Sequence, residues 1–493
     1  MGIVRRQGLR NTVISYFGLG LGFVNTALLM PRFLDPAQVG FTRLLLSVAT
    51  IYAQLAAVGF ASMGIRYFPF FRNREAGHQG FLPLLLGLPM LGFAVVTAGY
   101  WLGRPLVLAP FEPADAVLLN TYYGWGAVLA LFMLLYSLQD AYLKGLYQTA
   151  FSSFLQEVLL RVLVAGVTLA FGMGYLTFHQ FVLGYIAVNS ALTLLLTAYL
   201  AYIGELHLRP TRAALQVRPV GELLRFGAFA LLSNISGTVI SSIDSWMVSS
   251  HSGFDANGVY TTAFFISTAL TIPFRSLYKI AFPLLADYWK QQDMARMADF
   301  YRRTTRLNTV LGCYLALGIG LNLDFIYSLM KPEYAAGTTI VWILLAGRLL
   351  DGITGVNGLI VVTSPRYRFD LVFNVALALG TVGLNLLLIP PLGMVGAAWA
   401  ALLALTSINV ARTWFVWHAY RLQPFDYRIL LILGAAAAAA LAGWLLPPVH
   451  SLFVTMLLRS AVLTLVYAAV VLLTRAVPEA QPIIQKLTRR LRH

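Results

Sequence analysis

Apolar and polar positions alternate along this chain on the scale of a membrane crossing. Apolar stretches of about 20 residues fill it almost end to end, and a helix of that length, at 1.5 Å per residue, spans the roughly 30 Å hydrocarbon core of a bilayer. The pattern predicts fourteen spans, at 11–31, 39–63, 81–102, 116–139, 150–172, 180–203, 226–249, 258–282, 305–329, 338–362, 370–390, 394–418, 428–446 and 453–474. Helices close their backbone hydrogen bonds within the segment, so a chain of this kind can cross lipid. The expected class is an all-α polytopic membrane protein with 14 transmembrane helices.

Composition agrees: 59% of residues are hydrophobic and 11% charged, against about 25% charged in a soluble domain. The net charge of +16 could suggest nucleic acid, but its placement argues against that partner. About 27 of the 35 Lys and Arg fall on one side of the spans, the bias of cytoplasmic loops. They include Arg5, Arg6 and Arg10, then Arg66, Arg72 and Arg74, then Arg209 to Arg225, the cluster from Arg275 to Arg306, and Lys486 to Arg492. The alternate loops, 104–115, 173–179, 250–257, 330–337, 390–393 and 447–452, are short and nearly free of Lys and Arg. Both termini are therefore expected in the cytoplasm, and a basic inner face also suits anionic membrane lipids. Cys313 lies inside a span, which leaves no disulfide and no thiolate metal site, and the seven His lack the close helical spacing of a metal pair. No cofactor is expected.

The chain repeats itself at an offset of about 219 residues. Val39-Gly40-Phe41 falls near Gly258-Val259-Tyr260, Asp35 near Asp255, and Gly174 on Gly393. Six spans separate equivalent positions, and an even number keeps orientation, so the halves are expected to be parallel repeats about an axis along the membrane normal. The predicted organisation is an N-lobe over 1–204 (spans 1–6), a cytoplasmic linker over 205–225, and a C-lobe over 226–425 (spans 7–12). An accessory pair, spans 13 and 14, follows over 426–475, then a basic cytoplasmic tail over 476–493. Two six-helix lobes of like orientation suggest a rocking carrier rather than a scaffold.

Several short segments resemble a known family. The run Met30-Pro31-Arg32-Phe33-Leu34-Asp35-Pro36-Ala37-Gln38-Val39-Gly40-Phe41 resembles the R-x-L-x-P-x-x-Y/F-G entry of polysaccharide flippases in the multidrug/oligosaccharidyl-lipid/polysaccharide (MOP) exporter superfamily. Asn385-Leu386-Leu387-Leu388-Ile389-Pro390, with Gly393-Met394-Val395-Gly396-Ala397-Ala398, is similar to that family's N-L-x-L-I-P-x-x-G-x-x-G-A-A turn. Asp244 with Gly258-Val259-Tyr260 resembles its D-R-x-x-x-G…G-x-Y segment, with Ser245 in place of Arg, and Arg66-Tyr67 its R-Y/F exit of span 2. The resemblance covers spans 1–12. It implies a flippase of the inner membrane that turns polyprenyl-pyrophosphate-linked oligosaccharide from the cytoplasmic to the periplasmic leaflet by alternating access. O-antigen, capsule or exopolysaccharide units are the implied cargo, with a polymerase or glycosyltransferases as possible partners and a monomer as the working state. The alternative within the superfamily is a multidrug or peptidoglycan-precursor exporter. A membrane polymerase or ligase would need catalytic groups on a sizeable outer loop, and the sequence offers no such loop, so no enzyme activity is expected.

Charged residues inside the spans are the candidate site. A charge at mid-bilayer costs at least about 2.5–3.5 kcal/mol unless it faces protein or water. Arg161 lies near the centre of span 5 and Arg348 near that of span 10; Arg32 and Arg43 flank the outer mouth; Arg66 marks the exit of span 2; Arg275, Lys279 and Arg412 line the cytoplasmic third. Arginine can grip a phosphate with two parallel hydrogen bonds, so these cations suit a pyrophosphate. The competing reading is local pairing: Glu157 lies four residues before Arg161 and Asp351 three after Arg348. Arg32 and Arg43 could equally snorkel to headgroups. Asp244, Glu157 and Asp351 are the candidate coupling carboxylates; Asp244 has no base three or four residues away and could carry a proton or hold Na⁺, or simply accept a local hydrogen bond. Gly18 and Gly22 form a small-residue face for close helix contact. No Gly-x-x-x-x-Gly-Lys-[Ser/Thr] motif occurs, so energy is expected from ion gradients, voltage or consumption of the product.

Overall fold

The computed structural model describes residues 14–74, 76–211 and 217–478. Arg5, Arg6, Arg10, Arg212 and the basic run from Lys486 to Arg492 lie outside the described residues. The described residues form helices and turns and contain no strand. The helices in order are α1 (Ile14–Phe33), α2 (Pro36–Ala56), α3 (Phe60–Phe71), α4 (Phe81–Leu102), α5 (Tyr123–Gly145), α6 (Thr149–Gly172), α7 (Phe178–Tyr202) and α8 (Val220–Thr268). They continue as α9 (Ile272–Gln291), α10 (Met294–Gly320), α11 (Thr338–Thr354), α12 (Asn357–Thr363), α13 (Arg368–Tyr420), α14 (Tyr427–Trp444) and α15 (Leu452–Leu473).

Ten helices among the described residues are long and apolar enough to cross a membrane. One of them is the 53-residue α13, whose two arms meet at Gly393 (φ 56°, ψ −138°), where the sequence placed the turn between spans 11 and 12. The helices matching spans 7 to 9 are more polar: α8 buries Ser242, Asp244, Ser249 and Asn257, and α10 carries Arg302, Arg303 and Arg306. Two expected spans are broken. Span 2 divides into α2 and α3 at Gly59 (φ 72°), and span 10 into α11 and α12 at Gly355 (φ 68°). Both glycines take a left-handed backbone that other residues adopt at a cost.

The chain folds as two compact units, 1–261 and 262–493. In the first, α5 is the central helix, packed by α2, α3 and α7, and α6 pairs with α7 and α1. One end of it is fastened by a clasp. Gly40 in α2 and Gly258 in α8 meet so closely that a Cβ at either would collide with a backbone carbonyl, that of Phe254 or Pro36. Asn257 donates from Nδ2 to the Gly40 carbonyl and to Ser245 Oγ, both at 2.9 Å. The Phe254 N–H, just past the break at Gly253, donates to Asp115 Oδ2 at 2.9 Å. Phe41, Phe111 and Phe254 close the apolar side. Glu205 is buried against His78 Nε2 at 2.9 Å and Arg74 Nε at 3.3 Å.

Overpacking a tight contact costs about 1–3 kcal/mol, and more where backbone must move. Gly258→Val is therefore expected to reduce folded yield and thermal stability sharply, whereas Gly380→Val, at a site with open space, is tolerated. Equal losses in a detergent melting assay would show that the clasp is not a close-packed joint.

Asp115 adds a pH dependence to the clasp. Burial first, and the nearby Glu112 and Asp255, push its carboxyl above the ordinary carboxylate value, partly offset by the Phe254 N–H. A raised pKa means that the protonated form favours the clasped state: the advantage is full below the ordinary value and is lost as pH rises through the raised one. Asp115→Asn keeps an acceptor for Phe254 without the charge. It is expected to melt slightly higher than wild type at neutral pH, with the difference vanishing in acid; a difference that grows on acidification would contradict this.

In the second unit α11 packs on α13 and α10, and α12 on α13 and α9. The accessory helices α14 and α15 pack on each other and on α10 through Cys313, Ile432, Ala435, Leu463 and Tyr467. Polar pins hold the pair in place: Arg306 Nη1 to Asp426 Oδ2 at 2.5 Å and Asn322 Nδ2 to Ser460 Oγ at 3.1 Å.

Candidate functional site

Three polar centres sit within the helices. The first joins α1 and α6. Each carries a π-helical segment, Val24–Leu29 and Leu155–Leu159, and such bulges recur at functional sites because they re-aim the side chains that follow. The helices touch along the expected small-residue face: a Cβ at Gly18 would strike the Glu157 carbonyl, and one at Gly22 would lie 2.8 Å from Arg161 Cζ. Glycine at 22 thus makes room for the guanidinium. Arg161 Nη2 pairs with Glu157 Oε2 at 2.8 Å, with about a quarter and a third of the two side chains exposed. Arg161 Nη1 is buried and makes no hydrogen bond, a donor left without an acceptor.

Around this pair the other first-unit cations are spread over different helices. Arg43 in α2 reaches Met30 Sδ at 3.7 Å. Arg32 is exposed near the end of α1, and Arg66 in α3 is exposed with its guanidinium 4.5 Å over the Phe226 ring. The second centre is Asp244, 8% exposed, which accepts from the Tyr260 hydroxyl at 2.8 Å. This bond joins the two ends of the D…G-x-Y segment.

The third centre lies wholly in the second unit. Arg348 in α11 donates from Nε to Ser267 Oγ at 2.9 Å and from Nη2 to Thr268 Oγ1 at 3.0 Å, and lies 4.5 Å over the Phe264 ring. Asp351, one turn on, accepts from Asn409 Nδ2 at 2.8 Å and feels the charges of Arg348 and Arg412. Just beyond, the Gly355 break opens a cavity of about 290 Å³ lined by Tyr278, Asp351, Asn357, Asp370, Asn409 and Arg412. Arg412 Nη2 donates to Asn374 Oδ1 at 2.8 Å and approaches Asp370 Oδ1 at 3.4 Å. Arg275 and Lys279 stand exposed along α9, on the helix that supplies Tyr278. Asn357, Asn374 and Asn409 were not among the expected site residues. Their signal was faint: Asp370 and Asn374, and Asn409 and Thr413, are four apart inside apolar runs.

Among the described residues no group of three or more His, Cys, Asp and Glu is placed to hold a metal ion. What these centres offer is hydrogen bonding and charge. Arginine forks suit phosphate oxygens, and buried carboxylates suit an ion or proton that changes occupancy between states.

Residues 4–289 match the family model described as polysaccharide biosynthesis protein. No curated protein sequence matches the chain significantly. Among solved structures the chain is similar to the lipid II flippase MurJ in an inward closed conformation, with TM-score 0.72, 11% identity, and coverage of 94% of this chain and 98% of that one. It is also similar to an inward-facing multidrug resistance MATE family transporter of the MOP superfamily, with TM-score 0.59, 14% identity, and coverage of 82% and 94%. At these identities the likeness is one of fold.

Proposed function

The chain belongs to the polysaccharide biosynthesis protein family, and from that premise we propose that it turns a polyprenyl-pyrophosphate-linked oligosaccharide from the cytoplasmic to the periplasmic leaflet by alternating access. It is a multi-pass membrane protein with the helical fold of MOP transporters. The observation that carries the reading is Arg161: a guanidinium deep in an apolar span, given room by Gly22, with one nitrogen bonded to Glu157 and the other without an acceptor. A group that is costly to bury and only half satisfied is suited to an anionic ligand that arrives and leaves. Arg348, held by two hydroxyls and an aromatic face, is a second phosphate contact. Arg32, Arg43, Arg66, Arg275 and Lys279 act as the weaker steering charges along the path.

In this reading the lobes are 1–204 and 226–425, joined by the linker 205–225, with 426–475 as the accessory pair and a basic tail after it. The protein sits in the inner membrane with both termini cytoplasmic, works as a monomer without catalysis, and passes its product to a polymerase or glycosyltransferases. Asp244, Glu157 and Asp351 are the coupling carboxylates. That MurJ is described as a lipid II flippase agrees with a lipid-linked cargo.

The test is reconstitution. Proteoliposomes holding the purified chain and a fluorescent polyprenyl-pyrophosphate oligosaccharide are probed with a membrane-impermeant lectin or quencher. Exposure of the lipid at the far face above protein-free vesicles supports the function. Movement of drugs but not of the lipid would replace it with an exporter.

A further inference from the structure

The cavity at the Gly355 break has a composition that selects its occupant. Its volume of about 290 Å³ is at the lower bound of ligand pockets, about 300–1,000 Å³, so it takes one ring-sized group and not a lipid or a chain of sugars. Two carboxylates, Asp351 and Asp370, line it beside one guanidinium, Arg412. A pyrophosphate would meet two like charges there.

A bare cation fits poorly for a different reason. Hard cations need a shell of free oxygen ligands. Most of the cavity's side-chain oxygens are engaged: Asp351 Oδ1 by Asn409, Asn409 Oδ1 by Asn357, Asn357 Oδ1 by the Gly358 N–H, and Asp370 by Asn374 and Arg412, which leaves Asp351 Oδ2 and no shell for a cation. The open positions are one acceptor, Asp351 Oδ2, and one donor on Arg412. Arg412 bonds Asn374 and Asp370 through Nη2 and its Nε is buried, so Nη1, near Gly358 at the cavity wall, is the donor open to the cavity. Beside it stands Asp351, with one oxygen pledged to Asn409. The Arg412 Nη1 donor next to the Asp351 carboxylate, with the Tyr278 side chain as one wall, is complementary to vicinal hydroxyls or an amide, each of which offers an acceptor and a donor. Gly355 and Gly358 leave the opposing wall bare. A Cβ at 358 would stand 3.5 Å from Arg412 Nη1.

We propose that this cavity is a sugar subsite that holds one uncharged pyranose or N-acetylated sugar ring, with Arg412 and Asp351 as its hydrogen-bonding pair. The origin of the sugar rests on the flippase reading: the ring would belong to the oligosaccharide whose pyrophosphate the arginines elsewhere hold. The subsite rejects uronic acids, because their carboxylate would face Asp351 and Asp370.

The full-length protein in nanodiscs is titrated with methyl glucoside, N-acetylglucosamine, glucuronate, inorganic pyrophosphate and NaCl, with binding followed by saturation-transfer NMR. One or both neutral sugars should bind, glucuronate should not, and neither pyrophosphate nor added NaCl should displace them. Arg412→Gln should weaken neutral-sugar binding by about tenfold or more. Gly358→Ala, which removes no hydrogen bond and strains no backbone, should weaken it too while the protein melts like wild type. Neutral sugar that fails to bind wild type, or binds unchanged in Gly358→Ala and Arg412→Gln, overturns the proposal, as does displacement by NaCl or pyrophosphate. The two readings separate cleanly. Wild type that flips the lipid but binds no neutral sugar sinks the subsite alone, and wild type that binds sugar but flips nothing sinks the flippase reading alone.

Discussion

Replacing Arg161 with Ala is expected to lower outward flipping of a pyrophosphate-linked lipid by about 10- to 100-fold while folded yield stays near wild type. The asymmetry follows from the geometry. The Glu157–Arg161 pair is intrahelical, four residues apart, and partly exposed, and pairs of that kind contribute only about 0.3–0.5 kcal/mol to stability. Removing the guanidinium also removes a buried nitrogen that has no acceptor, which relieves a cost. A phosphate, in contrast, loses charge-assisted hydrogen bonds worth about 1.5–3 kcal/mol each. Arg348→Ala should behave differently, because Ser267, Thr268 and the Phe264 ring all lose a partner. Both transport and melting temperature should fall there. The measurement is initial flipping rate normalised to folded protein by size exclusion. An Arg161→Ala protein that loses yield and rate in proportion would mark the pair as purely structural.

The architecture was legible because lipid imposes a long, one-dimensional signal. A run such as 81–102 must be apolar throughout, and the helix spans Phe81–Leu102. The Glu157–Arg161 bond was legible for the same kind of reason, since a spacing of four on a helix dictates proximity. The breaks at Gly59 and Gly355 were not, because a glycine in an apolar run looks the same whether it packs a helix or ends one. Nor was the second-unit cavity. The bonding partners of Arg412, Asp370 and Asn374, come from 42 and 38 residues away on the other arm of α13. Contacts across helices depend on register and rotation, which hydropathy does not encode. Asp244 is intermediate: the D…G-x-Y motif flagged its residues, but only the fold shows that Tyr260 is the partner.

An inside-negative membrane potential is expected to drive outward flipping at fixed pH and fixed Na⁺. A lipid pyrophosphate carries roughly two negative charges out of a negative interior, and each charge gains about 2.3 kcal/mol per 100 mV. The pair gains roughly 4.6 kcal/mol per 100 mV, a bias in the final distribution of more than about a thousandfold, provided the protein's own charges do not cross with the lipid. The arginines here are anchored: Arg161 by Glu157 within one helix turn, and Arg348 by hydroxyls of α8. Fixed charges of this sort shield the anion in transit without cancelling the field it falls through. Voltage then suffices to bias transport without a bound ion, so Asp244 need not be the coupling site. Asp244→Asn separates the two accounts, because the amide oxygen can still accept from Tyr260 and keep the local fold. In proteoliposomes with the cytoplasmic face inside, a potassium diffusion potential should speed flipping in wild type and Asp244→Asn alike. If wild type ignores the potential and Asp244→Asn stops flipping, the carboxylate carries the coupling and the electrical account fails.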